Sequence, residues 1–298
     1  MSGSVTGDDA HWAFGTSFVD PLAGVDTTLP DGVDGGELAA YCLMLGDDAL
    51  VASHRLAEWC SNAPDLEEDV ALANIALDLL GQARLLLARA AAADPGAVPP
   101  LPAGSPVPGE DALAFFRDAD DYRCVRLVEP ENGDFGETVA RLLCFATWRL
   151  ALLARLVDSR DPVLAAIAAK GVKEVAYHRD HAARWVVTLA RGTAESRRRV
   201  RAGLRAVWPH RAELARTHPV EARLARAGVA VDPADVVAEV DGVLAQVLRA
   251  ADLDDLGPCA AGPVLDGPGG RDGRHTPDLA ALLAEMQVVA RAHPAGRW

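Results

Sequence analysis

Three residues with metal-binding side chains lie at helical spacing in the stretch KEVAYHRDHAARW, residues 173–185. Glu174, His178 and His181 stand at i, i+4 and i+7, so a helix would place all three on one face. Carboxylate and imidazole groups hold iron in oxygen-activating proteins while leaving coordination positions open for dioxygen. The stretch therefore predicts one of two things: a wall of a di-metal site, or a hydrogen-bonded polar seam between packed helices.

The elements that would position these residues are long helices. Apolar residues recur at helical spacing over residues 37–60, 61–92, 130–159 and 160–192. Further helical pieces follow Thr193, separated by proline and glycine, and convincing alternation of period two is not found. The pattern predicts an all-α fold, a four-helix bundle with additional C-terminal helices.

The composition along the chain predicts one large domain. Residues 1–35 are rich in Gly, Asp, Ser and Thr and are expected to form a flexible arm. Residues 36–298 are expected to form a single helical domain. A Pro/Gly-rich insert interrupts it near 93–109.

The ligand rule of di-iron bundles argues against a metal site in this bundle. Such bundles carry one Glu on each of two helices and a Glu-x-x-His pair on each of the other two. No Glu precedes any His by three residues here. Residues 130–159 offer Glu137 and then Arg141 and Arg149, and an arginine at the position of a metal ligand opposes a metal ion. The polar seam is therefore favoured, with no catalytic residue and no metal. Its predicted members are Asp48, Asn74, Asp78, Glu174, His178 and His181.

Charge and cysteine usage exclude several classes of function. The net charge of −14 argues against nucleic-acid binding, which needs a basic face for phosphates. The five cysteines show no CxxC spacing, which favours reduced thiols in a cytosolic protein. The N-terminus has no apolar region typical of a signal peptide, and no stretch is expected to approach a membrane span. These observations predict a cytoplasmic protein.

Several long phrases carry a resemblance to a known family. They are LGDDALVASHRLAEWCSNAPDLEEDVALANIALDLLGQAR, LVEPENGDFGETVAR, SRDPVLAAIAAKGVKEVAYH and HTPDLAALLAEMQVVARAHP. In this order, from about residue 37 to residue 298, the chain resembles the C-subunit family of the bacterial ring 1,2-phenylacetyl-CoA epoxidase. The N-terminal arm and the Pro/Gly-rich insert are less similar to it.

The resemblance implies a ferritin-like fold and a role in a multicomponent monooxygenase. That complex uses dioxygen and electrons from NADPH to form an epoxide on the ring of phenylacetyl-CoA. A sister subunit of the same fold carries the di-iron centre, a separate reductase delivers electrons, and further small subunits take part. The resemblance implies that this chain is a structural, non-catalytic subunit with no cofactor of its own, which meets phenylacetyl-CoA only through the complex.

Two stretches are candidates for contact with the tail of the CoA ester. One is the polar turn Asp121, Tyr122, Arg123 and Cys124. The other is the helix start Val220, Glu221 and Ala222, where free N–H groups would face a phosphate. Glu221 has the wrong charge for such a contact. An ordinary surface loop and an ordinary helix start remain the favoured interpretations.

Two other functions stay open on the residues alone. A self-sufficient ferritin-like di-metal oxidase would need unconventional ligands from Asp48, Asp78, Glu174, His178 and His181. A free-standing helical binding module would need no redox partner. The missing Glu-x-x-His pairs argue against the oxidase, whereas stability of the isolated chain would distinguish the module from a member of a complex.

Overall fold

The computed structural model describes residues 22, 24–256 and 267–296, and within them the regular structure is helical, with no β-strand. The helices are α1 (Gly35–Ala57), α2 (Leu66–Ala93), α3 (Gly109–Phe115), α4 (Phe135–Leu156), α5 (Pro162–Arg191), α6 (Ala194–Val207), α7 (Arg211–Leu214), α8 (Pro219–Arg226), α9 (Val237–Ala250) and α10 (Pro277–Ala292). The prediction of an all-α fold is confirmed. Most of the predicted N-terminal arm lies outside the described residues, and the division into an arm and one domain stays a prediction.

Aspartate side chains fix the starts of the four longest helices, α1, α2, α4 and α5. Asp34, Asp65, Asp134 and Asp161 precede them, and each carboxylate accepts a hydrogen bond from the backbone N–H three residues further on, at 2.8–3.0 Å. Each bond satisfies one of the free donors at a helix N-terminus and places a negative charge at the positive end of the helix dipole.

The four long helices pack against one another. α1 packs along α2, α4 packs along α5, and α2 also contacts α5. Arg149 of α4 reaches across to α1, where it donates to Leu45 O at 3.2 Å. α6 crosses α4 so closely that a Cβ on Gly203 would lie 2.5 Å from Glu137 Cα, which only glycine permits.

The helix α2 is apolar enough to resemble a membrane span. By length and composition alone Leu66–Ala93 passes that test, so the expectation that no stretch approaches a span is wrong. Within the most apolar 18-residue stretch of this helix, 44% is buried inside the protein. Leu72, Ile75 and Leu79 pack into the core. An apolar helix packed in this way is typical of the core of a soluble bundle.

Buried arginine–aspartate pairs tie distant segments to the bundle. Arg89 of α2 pairs with Asp161, the cap of α5, and both side chains are almost completely buried. Arg89 also donates to Thr27 O at 2.6 Å, so the chain before α1 is held to the same point. A buried charge without its partner is costly, so the pair holds these segments together only while both residues are present.

We expect Asp161→Ala to lower the free energy of unfolding by about 3–5 kcal/mol, because it leaves the Arg89 guanidinium buried without a counter-charge and uncaps α5. Asp34→Ala removes a cap that is exposed and lacks this pairing, and should cost about 1 kcal/mol. Urea unfolding of the full chain, followed by circular dichroism, measures both. Equal losses in the two variants would contradict a special role for the buried pair.

Candidate functional site

A buried arginine lies in the interior of the bundle, where the four long helices face one another. Arg149 of α4 is among the largest completely buried side chains of the protein. Its Nε donates to Gln82 Oε1 of α2 at 3.0 Å and its Nη1 to Leu45 O of α1 at 3.2 Å, while Nη2 is buried without a hydrogen-bond partner. Burial lowers the pKa of Arg149 to about 10, so the guanidinium still carries its charge at neutral pH.

Glu174 is connected to this arginine through a glutamine. Gln82 Nε2 donates to Glu174 Oε2 at 2.9 Å, and Lys170 Nζ lies 2.5 Å from Glu174 Oε1. The result is a polar chain that runs from α4 through α2 to α5. Both carboxylate oxygens of Glu174 therefore already accept hydrogen bonds, one from Lys170 and one from the amide of Gln82. Lys170 supplies the counter-charge from within the chain.

The two histidines of the opening stretch pair with acids of α2. His178 is 1% exposed, and its Nε2 lies 3.0 Å from Asp78 Oδ2. His181 Nε2 lies 3.1 Å from Glu68 Oε2, without the alignment of a hydrogen bond. Both pairs cross between α5 and α2. Sequence analysis named Asp78 but missed Glu68, which stands ten residues earlier on the same helix.

The other two predicted seam residues lie elsewhere. Asp48 of α1 is completely buried and forms a two-point ion pair with Arg271, with N–O distances of 2.8 and 3.1 Å. Burial disfavours the charge of Arg271, but Asp48 together with Glu221 and Glu213 outweighs this effect and raises the pKa of the arginine. Asn74 is exposed to solvent on α2. The structure therefore joins His178 to Asp78 and leaves Asp48 and Asn74 in separate surroundings.

The stretches proposed for CoA contact are largely closed by the chain's own groups. Tyr122 and Cys124 are completely buried, so that only Asp121 and part of Arg123 reach the surface. At the start of α8, Val220 N donates to His218 Nδ1 at 3.2 Å and Ala222 N to His218 O at 3.0 Å. Glu221 is buried and accepts from His218 N at 2.8 Å, which completes a capping box.

One group of potential metal ligands among the described residues lies outside the bundle interior. Cys124, Glu129 and His275 each offer one ligand atom, and the three atoms lie within 4.8 Å of one another. Sequence analysis missed Glu129 and His275, since 146 residues separate them and neither stands in a ligand motif. Only the tertiary fold brings them together.

Comparison with known proteins places the chain in a family. Residues 28–298 match the family described as phenylacetic acid catabolic protein. The chain belongs to this family. It is 40% identical over 262 residues to the C subunit of 1,2-phenylacetyl-CoA epoxidase from Escherichia coli (strain K12), a match that covers 88% of this chain and 99% of its relative. The family is ferritin-like, in agreement with the fold class that the sequence predicted.

A di-iron centre does not fit the bundle interior of this chain. The position between the helices holds the Arg149 guanidinium, and a fixed positive charge there repels a pair of metal cations. The nearby carboxylate of Glu174 already faces Lys170 and Gln82. These residues can pack, orient one another and exclude water, but they do not offer the carboxylate and imidazole set that two irons require.

Arg149→Ala should lower the free energy of unfolding by about 3–5 kcal/mol through a cavity and unsatisfied acceptors, whereas Arg149→Met should cost only about 1–2 kcal/mol. Methionine fills the volume and removes the cost of a buried charge, but leaves Gln82 Oε1 without its donor. Arg184→Met on the exposed side of α5 is the matched control and should stay within about 0.5 kcal/mol. Thermal and urea unfolding measure these changes, and losses of the same size in both Arg149 variants would contradict this account.

Proposed function

We propose that this chain is a non-catalytic subunit of a phenylacetyl-CoA 1,2-epoxidase complex, in which it supports a di-iron catalytic subunit. Dioxygen activation takes place in that partner, a separate reductase supplies electrons from NADPH, and further small subunits complete the assembly. The identity to an epoxidase C subunit over nearly the whole length of that relative supports the complex. The buried Arg149 in the bundle interior is the observation that supports the non-catalytic role.

An exposed apolar surface supports the presence of a large partner. We call it the α2 face: Leu66, Val70, Leu77 and Leu80 of α2. These four residues fall within one side of the helix, opposite the side that packs into the core. Leu66 is 73% exposed and Leu77 63%. A helix that is apolar on both sides is expected to be buried on both sides, and here the chain covers only one.

The α2 face has the character of a surface for another helix. Gly81 lies beside Leu77 and Leu80, and a Cβ built on it would meet nothing within 4 Å. Glycine inside a helix costs about 0.5–1 kcal/mol, and nothing within the chain requires it at this position. Glu67 and Asp78 border the face with negative charge, whereas the exposed Arg84 lies on the same side of the helix, four residues after Leu80. The face is therefore mixed in charge at its edges, and its apolar residues favour helices of the catalytic subunit that carry an apolar stripe.

The two other functions differ in testable ways. A self-sufficient di-metal oxidase would have to place metal ions beside the Arg149 guanidinium, which the charge of this residue opposes. A free-standing binding module would have no need for the α2 face to be covered by a redox partner. Contact with the CoA tail at residues 121–124 or at the start of α8 stays a prediction, and Asp121 and Arg123 are the side chains that remain accessible for it.

We expect the full chain, purified alone after iron loading, to contain no stoichiometric iron and to form no epoxide from phenylacetyl-CoA. Addition of the di-iron subunit, the small subunits and the reductase should restore NADPH-dependent epoxide formation, and omission of this chain should abolish or strongly reduce it. Plasma mass spectrometry and product analysis provide the measurements. Two irons per isolated chain would overturn the proposal.

Leu77→Asp should weaken binding of the catalytic subunit at least tenfold, about 1.4 kcal/mol, because it places a charge in the middle of an apolar interface. Val288→Asp changes an exposed valine on α10, remote in sequence from the α2 face, and serves as the matched control. Calorimetry or size-exclusion chromatography of the mixed subunits compares them. Unchanged affinity for Leu77→Asp would place the partner on another surface, and no binding by the wild-type chain would favour the free-standing module.

A further inference from the structure

The ligand atoms of Cys124, Glu129 and His275 lie close enough together to share one metal ion. Cys124 Sγ lies 3.9 Å from Glu129 Oε1 and 3.9 Å from His275 Nδ1, and the last two atoms are 2.6 Å apart, the separation of a hydrogen bond. An ion at this point would replace that hydrogen bond and move Nδ1 and Oε1 apart to about 3.3 Å, the separation of two tetrahedral ligands. Zinc binds imidazole nitrogen and carboxylate oxygen at about 2.0–2.2 Å and thiolate sulfur at about 2.3 Å.

The remaining polar atoms of these side chains are already held in place. His275 Nε2 lies 2.9 Å from Tyr122 O, to which it donates, and this bond turns Nδ1 towards the cluster. Glu129 Oε2 accepts from Thr276 N and from Thr276 Oγ1, both at 2.7 Å, which leaves Oε1 directed at the same point. Metal-binding histidines and carboxylates in proteins are oriented by hydrogen bonds of this kind.

The charges of the region also favour a cation at this point. Cys124 and Glu129 are completely buried, and the side chain of His275 is 3% exposed. Two neighbouring acids, Asp47 and Asp48, are matched by Arg117 and Arg271. Among the described residues, the ion-pair partner of Glu129 is His275. A buried carboxylate needs a counter-charge, which either a proton on His275 or a metal ion can supply.

We propose that Cys124, Glu129 and His275 bind one zinc-like divalent cation, which fastens the segment before α10 to the loop between α3 and α4. The mixture of thiolate, imidazole and carboxylate suits Zn²⁺ or Co²⁺ and disfavours Mg²⁺ and Ca²⁺. Binding displaces the proton on His275 Nδ1 and the proton on Cys124 Sγ. Two positive charges enter and two protons leave, so the net charge of the buried site does not change.

This site is distinct from the bundle interior and from the proposed non-catalytic role. It would hold one structural metal ion rather than two irons, and its ligands come from loops rather than from facing helices. The ion would connect residues 146 positions apart in the chain and would stabilise the folded state by the free energy of binding.

The test is a titration of the chelator-treated full chain with Co²⁺ and with Zn²⁺. We expect one Co²⁺ per chain with the thiolate-to-cobalt absorption band, displacement of Co²⁺ by Zn²⁺, and a higher midpoint of thermal unfolding with either ion. Cys124→Ser should abolish the band. His275→Gln should weaken binding by a factor of about 10² or more, and Thr276→Val, which removes a hydrogen bond to Glu129, by about tenfold.

Cys60→Ser is the matched control, since Cys60 is a free, exposed thiol whose loss should leave the band unchanged. Failure of the wild-type chain to bind one equivalent of Co²⁺ or Zn²⁺ overturns the proposal, whether or not the variants fold. So does equal binding by wild type and by His275→Gln with native circular dichroism. Two irons per chain that persist in Cys124→Ser would overturn the non-catalytic role instead, which keeps the two failures apart.

Discussion

Adjacent aspartates in the middle of α1 impose the constraint on which much of this structure depends. Asp47 and Asp48 are both completely buried, and a buried carboxylate is tolerated only with a counter-charge and hydrogen bonds. Arg117 supplies the first from the segment after α3, and Arg271 supplies the second from the segment before α10. The backbone N–H of Arg123 donates a hydrogen bond to Asp47, and the backbone N–H of Val125 donates one to Asp48, at 2.8 Å each. One turn of one helix therefore determines where two distant parts of the chain must lie, the segment between α3 and α4 and the segment before α10.

The bundle interior differs from these ion pairs because its buried arginine is held by neutral hydrogen-bond acceptors. Arg149 has no carboxylate in direct contact and relies on neutral acceptors from Gln82 and Leu45, with Glu174 one residue further along the polar chain. This arrangement satisfies most of the guanidinium but leaves Nη2 without a hydrogen bond. An interior of this kind is held together by hydrogen bonds between helices and offers no ligand set to a pair of metal cations.

The distribution of apolar residues supports this view. The core residues of α2 alternate with exposed leucines on the opposite side of the same helix, so that one helix has both an internal and an external packing surface. A monomeric soluble protein rarely keeps such a stripe open to water. The composition that makes α2 resemble a membrane span is thus accounted for by packing against the bundle on one side and, in the proposed complex, against a partner on the other.

The sequence by itself determined the helical class, the four long helices, the missing Glu-x-x-His pairs and the resemblance to an epoxidase subunit family. These features follow from the spacing of residues and from contiguous stretches of sequence, so they can be recognised without knowledge of tertiary contacts. It also placed Glu174, His178 and Asp78 correctly on α5 and α2, because residues on one helix face follow from its period. The sequence names Arg141 and Arg149 equally as unfavourable to a metal ion, and only the structure places Arg149 in the bundle interior.

Only the tertiary structure decided which charges meet. The chain has many arginines and acids, and nothing in their spacing pairs Arg117 with Asp47, Arg271 with Asp48 or His181 with Glu68. The tertiary structure also buries Tyr122 and Cys124, which the sequence suggests as surface contacts for the CoA tail. It exposes Asn74, which the sequence suggests as a member of the polar seam. Pairing across 70 to 220 residues depends on how helices and loops pack, and packing is a property of the whole chain that no local pattern encodes.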